Sequence, residues 1–550
     1  MNKNKYLLLA SSLGVLGLLV IAASQEHFGR EWRQIQAEGH TEEGPIPVAL
    51  RQIVNPSLRV SDRCVSCHVS MAPGEQEVTG STVLEPHPQV VHDPGEFGCT
   101  ICHGGQGLAT EKDDAHGDVH FWPEPMLPAR YSYAGCGSCH ATLGVPARPV
   151  FERAEGAFQR LDCLACHRVD QRGGTIRPDG RGMEGPNLSM AAVRGYDPDW
   201  YEDHLLRAKP PAGGPWPSFA PIGEEDRGLL DIYLSTRIGA GPLIEAKAAF
   251  LAGGCLGCHR VSGVGGDEGP ELTRGGEKDP AQISFAHVPG SRTVENWLVE
   301  HFLSPAAVVV DSQMPPVALP PEAIDALTMY TLSLRRRELP ESLLPADRVR
   351  VSRFGEREFA ADGETIFLAF CSGCHGERGQ GRQAPGVASF PSVANPDLHR
   401  LVSDDFLLDS VTKGRQGRRM PAWGEMEGGL QPDEIHTVIS YLRQLSQTEQ
   451  EPDPLPRRWV ASDAAKGERL YNAACAGCHG ITGQGREAPA LRDPVFQASA
   501  SDTFLFETIA KGRRDTAMPA FSEPSVVHRN LGREEIESVV AFLRTWEKKQ

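Results

Sequence analysis

Cysteine and histidine recur at one fixed spacing along this chain of 550 residues. Seven times, two cysteines stand three positions apart with a histidine directly after the second. The pairs are Cys64/Cys67, Cys99/Cys102, Cys136/Cys139, Cys163/Cys166, Cys255/Cys258, Cys371/Cys374 and Cys475/Cys478. The histidines are His68, His103, His140, His167, His259, His375 and His479. Two thiols so placed can add across the two vinyl groups of one porphyrin. The adjacent histidine is then carried under the ring, where its imidazole binds iron, and C-x-x-C-H reads as haem c attachment. Structural zinc also uses Cys-x-x-Cys, but it pairs two half-sites and does not require a histidine at once after the second cysteine. Seven repetitions argue against zinc and against a thioredoxin-like redox pair. All 14 cysteines are used, so none is left for a disulfide. The expectation is seven covalently bound haem c groups, with thioether bonds at all 14 cysteines and these seven histidines as proximal iron ligands.

The elements that must position these groups differ along the chain. Residues 51–148 hold three motifs among frequent Gly and Pro with little apolar periodicity. Such a block must use porphyrins as its core, with short helices and loops wrapped around them. From residue 149 on, four units follow, each about 90–100 residues long: 149–238, 239–337, 357–447 and 459–548. Internal repetition at a fixed period is a strong organising signal. Each unit opens with a small residue followed four positions later by an aromatic, on one helix face. These are Ala154/Phe158, Ala246/Phe250, Gly363/Phe367 and Gly467/Tyr471. Each has a proline after its motif, at Pro186, Pro270, Pro385 and Pro489, and a closing helix with an aromatic, Tyr233, Tyr330, Tyr441 or Phe542. Proline-rich, charged linkers at 338–356 and 446–458 set the last two units apart as semi-independent beads.

This pattern resembles the class I cytochrome c fold over nearly all of 150–548. The resemblance implies that the first and last helices cross through the small residue and the aromatic, that the proline carbonyl holds the proximal histidine, and that a methionine from a later loop takes the sixth iron site. Repeat position then picks out Met314, Met420 and Met518, each followed by proline and each preceding a closing helix. In the 149–238 unit, Trp216-Pro217 falls where Met314-Pro315 falls in its neighbour. Tryptophan cannot bind iron. That site is therefore open, filled by Met183 or Met190, or reached by a histidine of the triple-haem block. His204, aligned with His301, reads as a supporting histidine. The block has four spare histidines, His87, His92, His116 and His120, which match in number the distal sites of haems one to four. His120 or His87 is the donor expected for haem four.

The N-terminal block, with Asp62-Arg-Cys-Val-Ser-Cys-His68, Phe97-Gly-Cys-Thr-Ile-Cys-His-Gly-Gly-Gln-Gly107, Ala115-His-Gly117 and Trp122-Pro-Glu-Pro125, resembles membrane-anchored multihaem cytochromes of bacterial respiratory chains that accompany bc-type quinol-oxidising complexes. The N-terminus fits an anchor. Lys3 and Lys5 precede 18 uncharged residues, Tyr6–Ala23, long enough to cross a bilayer and to hold the start of the chain on the cytoplasmic side. Ala22-Ala23-Ser24 offers the alternative of a cleaved signal. The formal charge of −17 argues against nucleic acid as a partner.

The fold class expected is mainly α. A transmembrane anchor (1–24) and a linker (25–50) lead to a compact, loop-rich triple-haem domain (51–148) and four tandem cytochrome c-like domains. The function expected is one-electron transfer without bond chemistry. A membrane quinol-oxidising, bc-type complex would be the donor, a periplasmic cytochrome or terminal oxidase the acceptor, and the haem domains would be periplasmic. The alternative is a multihaem reductase acting at an open haem four.

Overall fold

A computed structural model of the chain describes residues 2–71, 78–80, 82–88, 90–174, 185–194, 222–315, 319–382, 390–415 and 420–547. Met183, Trp200, His204, Trp216 and Pro385 lie outside the described residues. The protein is mainly helical, and its strands form short two-stranded antiparallel ribbons. Two compact units emerge: Met1–Ala141 with Arg274–Val349, and Thr142–Thr273 with Arg350–Gln550. The stretch 239–337 is thus divided. Its opening helix, Gly241–Ala252, belongs to the second unit and its closing helix, Pro321–Ser333, to the first.

The first unit begins with a 27-residue helix, Asn2–Phe28, whose Leu7, Leu8, Leu13, Leu16 and Ile21 are all exposed. A run of uncovered apolar side chains of this length suits a lipid surface. After Gly29 and Arg30, the helix Glu31–Glu38 turns onto the haem-motif block, burying Trp32 and Gln36. The Gln36 amide donates to the Ser66 carbonyl at 2.7 Å and the Ala49 carbonyl at 3.0 Å, and its oxygen accepts from the Ala49 N–H at 2.9 Å. Arg30 ties the same junction to Glu111 at 2.5 Å. The stretch expected as a polar linker is therefore packed, because a buried amide must find partners.

Within the block the first two motifs are single helical turns, and the third closes the ten-residue 3-10 helix Ala129–Ser138. One apolar cluster of this unit joins Leu127, Tyr131 and Ala134 to Val294, Leu298 and Leu332. The Tyr131 hydroxyl donates to Asp325 on the helix Pro321–Ser333 at 2.6 Å. Some of the core is thus supplied by side chains from late in the sequence, not by porphyrin alone.

In the second unit the helix crossings follow from the small residues. A Cβ on Gly363 would meet the Thr437 carbonyl at 2.5 Å and Tyr441 at 2.7 Å, and one on Gly467 would collide with the Ser538 carbonyl. Only glycine lets these backbones approach so closely. The aromatic partners then pack beside the crossing: Phe158 with Tyr233 at 4.7 Å, Phe367 with Tyr441 at 5.7 Å and Tyr471 with Phe542 at 5.4 Å between ring centres. The repeats at 149–238 and 239–337 share a further device. Directly after each motif a two-residue hairpin pairs Arg168–Val169 with Arg172–Gly173, and Arg260–Val261 with Val264–Gly265. Positive φ at Asp170 and Gln171, and at Ser262 and Gly263, gives each the turn that matches strand twist.

The last two repeats are not independent beads. Arg415 reaches Asp493 at 3.4 Å, the Asn395 amide donates to the Arg514 carbonyl at 2.8 Å, and Phe406 packs on Phe504 at 5.4 Å. The linker between them is pinned as well, with Arg400 on Glu451 at 3.0 Å and Arg458 on Glu547 at 2.8 Å. In sequence its charges read only as part of a separating linker, because their partners stand many positions away.

Candidate haem sites

The local fold engages the Nδ1 of six motif histidines, five of them through a backbone carbonyl. His68 donates to the Val83 carbonyl at 3.2 Å, His167 to Pro186 at 2.9 Å, His259 to Pro270 at 2.9 Å, His375 to Pro391 at 2.8 Å and His479 to Pro489 at 2.9 Å. A proton held on Nδ1 leaves the Nε2 lone pair for a metal and fixes the ring's direction. The four repeats thus use proline carbonyls, as the class I resemblance implies. In the third repeat the partner is Pro391, not the Pro385 expected. Glycine precedes two of these prolines for a steric reason. A Cβ on Gly185 would lie 2.6 Å from the His167 ring, and one on Gly269 would lie 2.5 Å from that of His259.

His140 differs. Its Nδ1 faces the Asp347 carboxylate at 3.1 Å, and the same carboxylate accepts from the Ala141 N–H at 2.7 Å. Asp347 was not singled out by sequence reasoning. It lies in the stretch read as a linker, 207 positions along the chain, where no local pattern reports it.

No motif cysteine is joined to another in a disulfide. The thiols are not equally enclosed. Burial pushes Cys67 up to about 11 and Cys102, Cys255 and Cys371 up to about 12. It also raises Cys136, Cys163 and Cys475, the first thiols of their motifs, to about 11. Thirteen of the 14 cysteines are half-buried and Cys478 is exposed. The assignment of Cys139, Cys166 and Cys478 as attachment points rests on their place in the motif turn. The backbone defines that place. Each N–H closes the turn on the carbonyl of its motif's first cysteine: Cys139 on Cys136, Cys166 on Cys163 and Cys478 on Cys475, all at 3.2 Å. The Ser138 hydroxyl lies 3.6 Å from the Cys139 sulfur.

Burial holds the His68, His103 and His92 imidazoles below the ordinary value, and neighbouring histidines push the same way: His116 on His68, His87 and His68 on His103, and His140 on His92. Burial also lowers His375, against the pull of the Pro391 carbonyl. Neutral imidazole is the form that ligates metal. The structure brings His87 to a ring-centre distance of 6.0 Å from His103, and His92 to 6.0 Å from His140. His116 ends the short helix Lys112–His116. His120 is exposed and lies edge-on to Phe121.

Successive motifs abut. Cys64 and Cys99 lie within hydrogen-bonding reach of each other, and Asp62, just before the first motif, accepts from the Cys99 N–H at 2.5 Å and the Thr100 N–H at 2.8 Å of the second. Gly135, just before the third motif, packs on the Cys102 carbonyl so closely that a Cβ would collide. In the second unit, Cys258 and Cys374 are likewise neighbours, and a Cβ on Gly254 would meet the Gly373 nitrogen at 2.6 Å. The residues that would hold successive haems therefore adjoin at motifs one to three, and again at five and six.

The methionine loops of the last two repeats are copies of one design. The Arg415 N–H donates to the Met420 carbonyl at 2.9 Å, and the Arg513 N–H to that of Met518 at 3.1 Å. Each arginine follows a glycine at positive φ, Gly414 at 64° and Gly512 at 66°, packed against the loop backbone. Met314 is half-buried and its N–H donates to Ser312 at 3.3 Å.

Residues 358–442 and 462–543 match the family described as cytochrome C oxidase, cbb3-type, subunit III, and residues 244–335 match the family described as cytochrome c. The chain is a multihaem c-type cytochrome. Its cytochrome c domains carry covalently bound haem c, and the donor set fits that group: cysteine pairs on single turns, imidazoles held by Nδ1, and glycine where the ring edge packs. The cbb3-type cytochrome c oxidase subunit FixP of Bradyrhizobium diazoefficiens is 34% identical to this cytochrome over 179 residues, covering 30% of this chain and 57% of the relative. The corresponding CcoP subunit of Azospirillum sp. (strain B510) is 29% identical over 181 residues, covering 30% of this chain and 56% of the relative. The cytochrome therefore spans little more than half the length of these relatives. A chain of the Kuenenia stuttgartiensis reducing HAO-like protein complex aligns over 34% of this cytochrome and 96% of its own length, at 17% identity and a TM-score of 0.24, a likeness too slight to carry an argument.

Proposed function

We propose that this cytochrome binds seven haems and moves single electrons from a membrane quinol-oxidising complex to a periplasmic cytochrome or terminal oxidase. The abutting motifs carry this reading, because a relay needs redox groups in close succession. Cys64 beside Cys99, Gly135 on Cys102, and Cys258 beside Cys374 supply that succession. The exposed apolar helix Asn2–Phe28 would hold the chain in the cytoplasmic membrane. The Glu31–Glu38 helix docks directly beside the first motif, so haem one would be the nearest to the bilayer. Met314, Met420 and Met518 as sixth ligands raise potential relative to a second histidine, which sets a downhill direction from the first motifs toward the last repeats. His87, His92, His116 and His120 supply the candidates for the remaining distal sites. The relatives' membership of cbb3-type oxidases supports a respiratory setting.

The test is rapid-mixing spectroscopy on membranes containing the full chain. Quinol should reduce its haems through the membrane donor, and an added oxidised cytochrome c should reoxidise them. Turnover of nitrite, hydroxylamine or peroxide, with stoichiometric carbon monoxide binding at one haem, would instead favour the reductase acting at haem four.

A further inference from the structure

Two histidines five positions apart, His87 and His92, each face a different motif histidine at the same ring-centre distance, 6.0 Å. Metal–imidazole bonds are about 2.0–2.1 Å long and a ring nitrogen lies about 1 Å from its ring centre, so two imidazoles on opposite sides of one metal ion have centres about 6 Å apart. Plain ring packing also spans such distances, and His92 shows it nearby, with Phe97 at 4.6 Å. Three features separate the histidine pairs from packing. The partner in each pair is the histidine of a C-x-x-C-H motif. The Nδ1 of His87 is engaged by the Pro88 carbonyl at 2.7 Å, and that of His140 by Asp347 at 3.1 Å, which leaves Nε2 as the available donor on those rings. Prolines flank both distal residues: Pro86 and Pro88 around His87, and Pro94 after His92-Asp93. Their fixed φ limits the backbone at both points.

We propose that His87 and His92 are the distal iron ligands of haems two and three, paired with His103 and His140 respectively, so that one short stretch closes two adjacent irons. This rests on the reading that the motifs carry haem. Both irons would be six-coordinate and closed to small ligands. The pairing also withdraws His87 as a donor to haem four. The two sites differ in ring orientation, 62° between the planes of His87 and His103 and 24° between those of His92 and His140. Near-parallel imidazole planes give ferric haem a rhombic low-spin signal, whereas strongly crossed planes give a more anisotropic one with a larger principal g value. The two haems therefore carry different signatures.

The experiment uses the full-length holoprotein and its H87M and H92M variants. A pyridine haemochrome assay first counts haem; fewer than seven would overturn the seven-haem reading itself. With seven present, H92M should remove one rhombic bis-histidine signal from the electron paramagnetic resonance spectrum. H87M should remove one anisotropic signal. Each should add one near-infrared methionine–iron charge-transfer band. Unchanged spectra in both variants, or loss of the opposite signal in each, would overturn the pairing. If the variants fail to assemble, carbon monoxide titration of the reduced native protein decides. Haems two and three must not bind it, so uptake at three or more of the four haems without a methionine ligand would overturn the proposal.

Discussion

Arg514 of the last repeat grips Asp397 of the repeat before it. Its backbone N–H donates to one carboxylate oxygen at 2.8 Å and its guanidinium to the other at 3.0 Å. Arg415 of the earlier repeat in turn reaches Asp493 of the last, and the matching residues Phe406 and Phe504 pack on each other between the two repeats. Arg415 and Arg513 occupy matching places before Met420 and Met518, as Asn395 and Asp493 do before their short helices. The two cytochrome c repeats therefore meet with approximate two-fold symmetry.

This tie sets a pH dependence. Burial works to raise the Asp397 carboxyl, but the hydrogen bonds and charge of Arg514 outweigh it and hold the group below the ordinary 3.8. A carboxyl depressed on folding contributes stability that is complete above its ordinary value and lost as the pH falls through the lower folded value. The two repeats should melt as one calorimetric transition near neutrality and separate into two in acid below 3.8. Asp397→Asn should show the split already at neutral pH. A single transition in the variant would show that the tie does not couple them.

Gly467→Ala should destabilise the last repeat by about 2–3 kcal/mol, the usual range for forcing extra volume into a packed crossing. The added methyl has the Ser538 carbonyl in its way, and no side-chain rotation can relieve a clash with backbone. Gly156→Ala in the helix Arg148–Arg160, with nothing within 4 Å of the new atom, is the control and should not lower the denaturation midpoint.

Asp347→Asn should raise the potential of the haem served by His140 by on the order of tens of millivolts. A carboxylate on the outer imidazole nitrogen makes the ring a stronger donor and favours ferric iron. The carbonyl-held histidines His68, His167, His259, His375 and His479 keep their own partners, so a redox titration should shift in one component only.

Met420→His and Met518→His should each lower one haem's potential by on the order of 0.2 V, because histidine in place of methionine favours the oxidised iron. Titration curves identical to the native protein would remove these methionines from the ligand set.

Much of the second unit was legible in sequence because its signals are local. A small residue and an aromatic four positions apart, a motif, a proline and a Met-Pro pair all lie within one repeat. The Ala154/Phe158 and Gly467/Tyr471 faces bury as that spacing requires. What escaped was set by distant partners. Pro391 replaces Pro385 because the backbone after the motif, not the nearest proline, decides which carbonyl reaches His375. Asp347 serves His140 from a stretch that reads only as charge and proline. Identical spacing hid the unequal exposure of the thiols, so nothing in the letters sets exposed Cys478 apart from half-buried Cys139 and Cys166. The approach of His87 to His103 and of His92 to His140 depends on how a loop without periodicity folds, so residue counting could match donors to sites in number but not in pairs.

The completion of the Tyr131 core by Val294, Leu298 and Leu332 bears on biogenesis. A chain that emerges N-terminus first exposes Cys64 to His140 long before those side chains arrive. The first three cofactors would then have to be ligated by the maturation machinery onto an open, unfinished scaffold. Order of synthesis and order of folding run in different directions here, and a nascent chain stalled before residue 294 would be a loaded but unclosed intermediate.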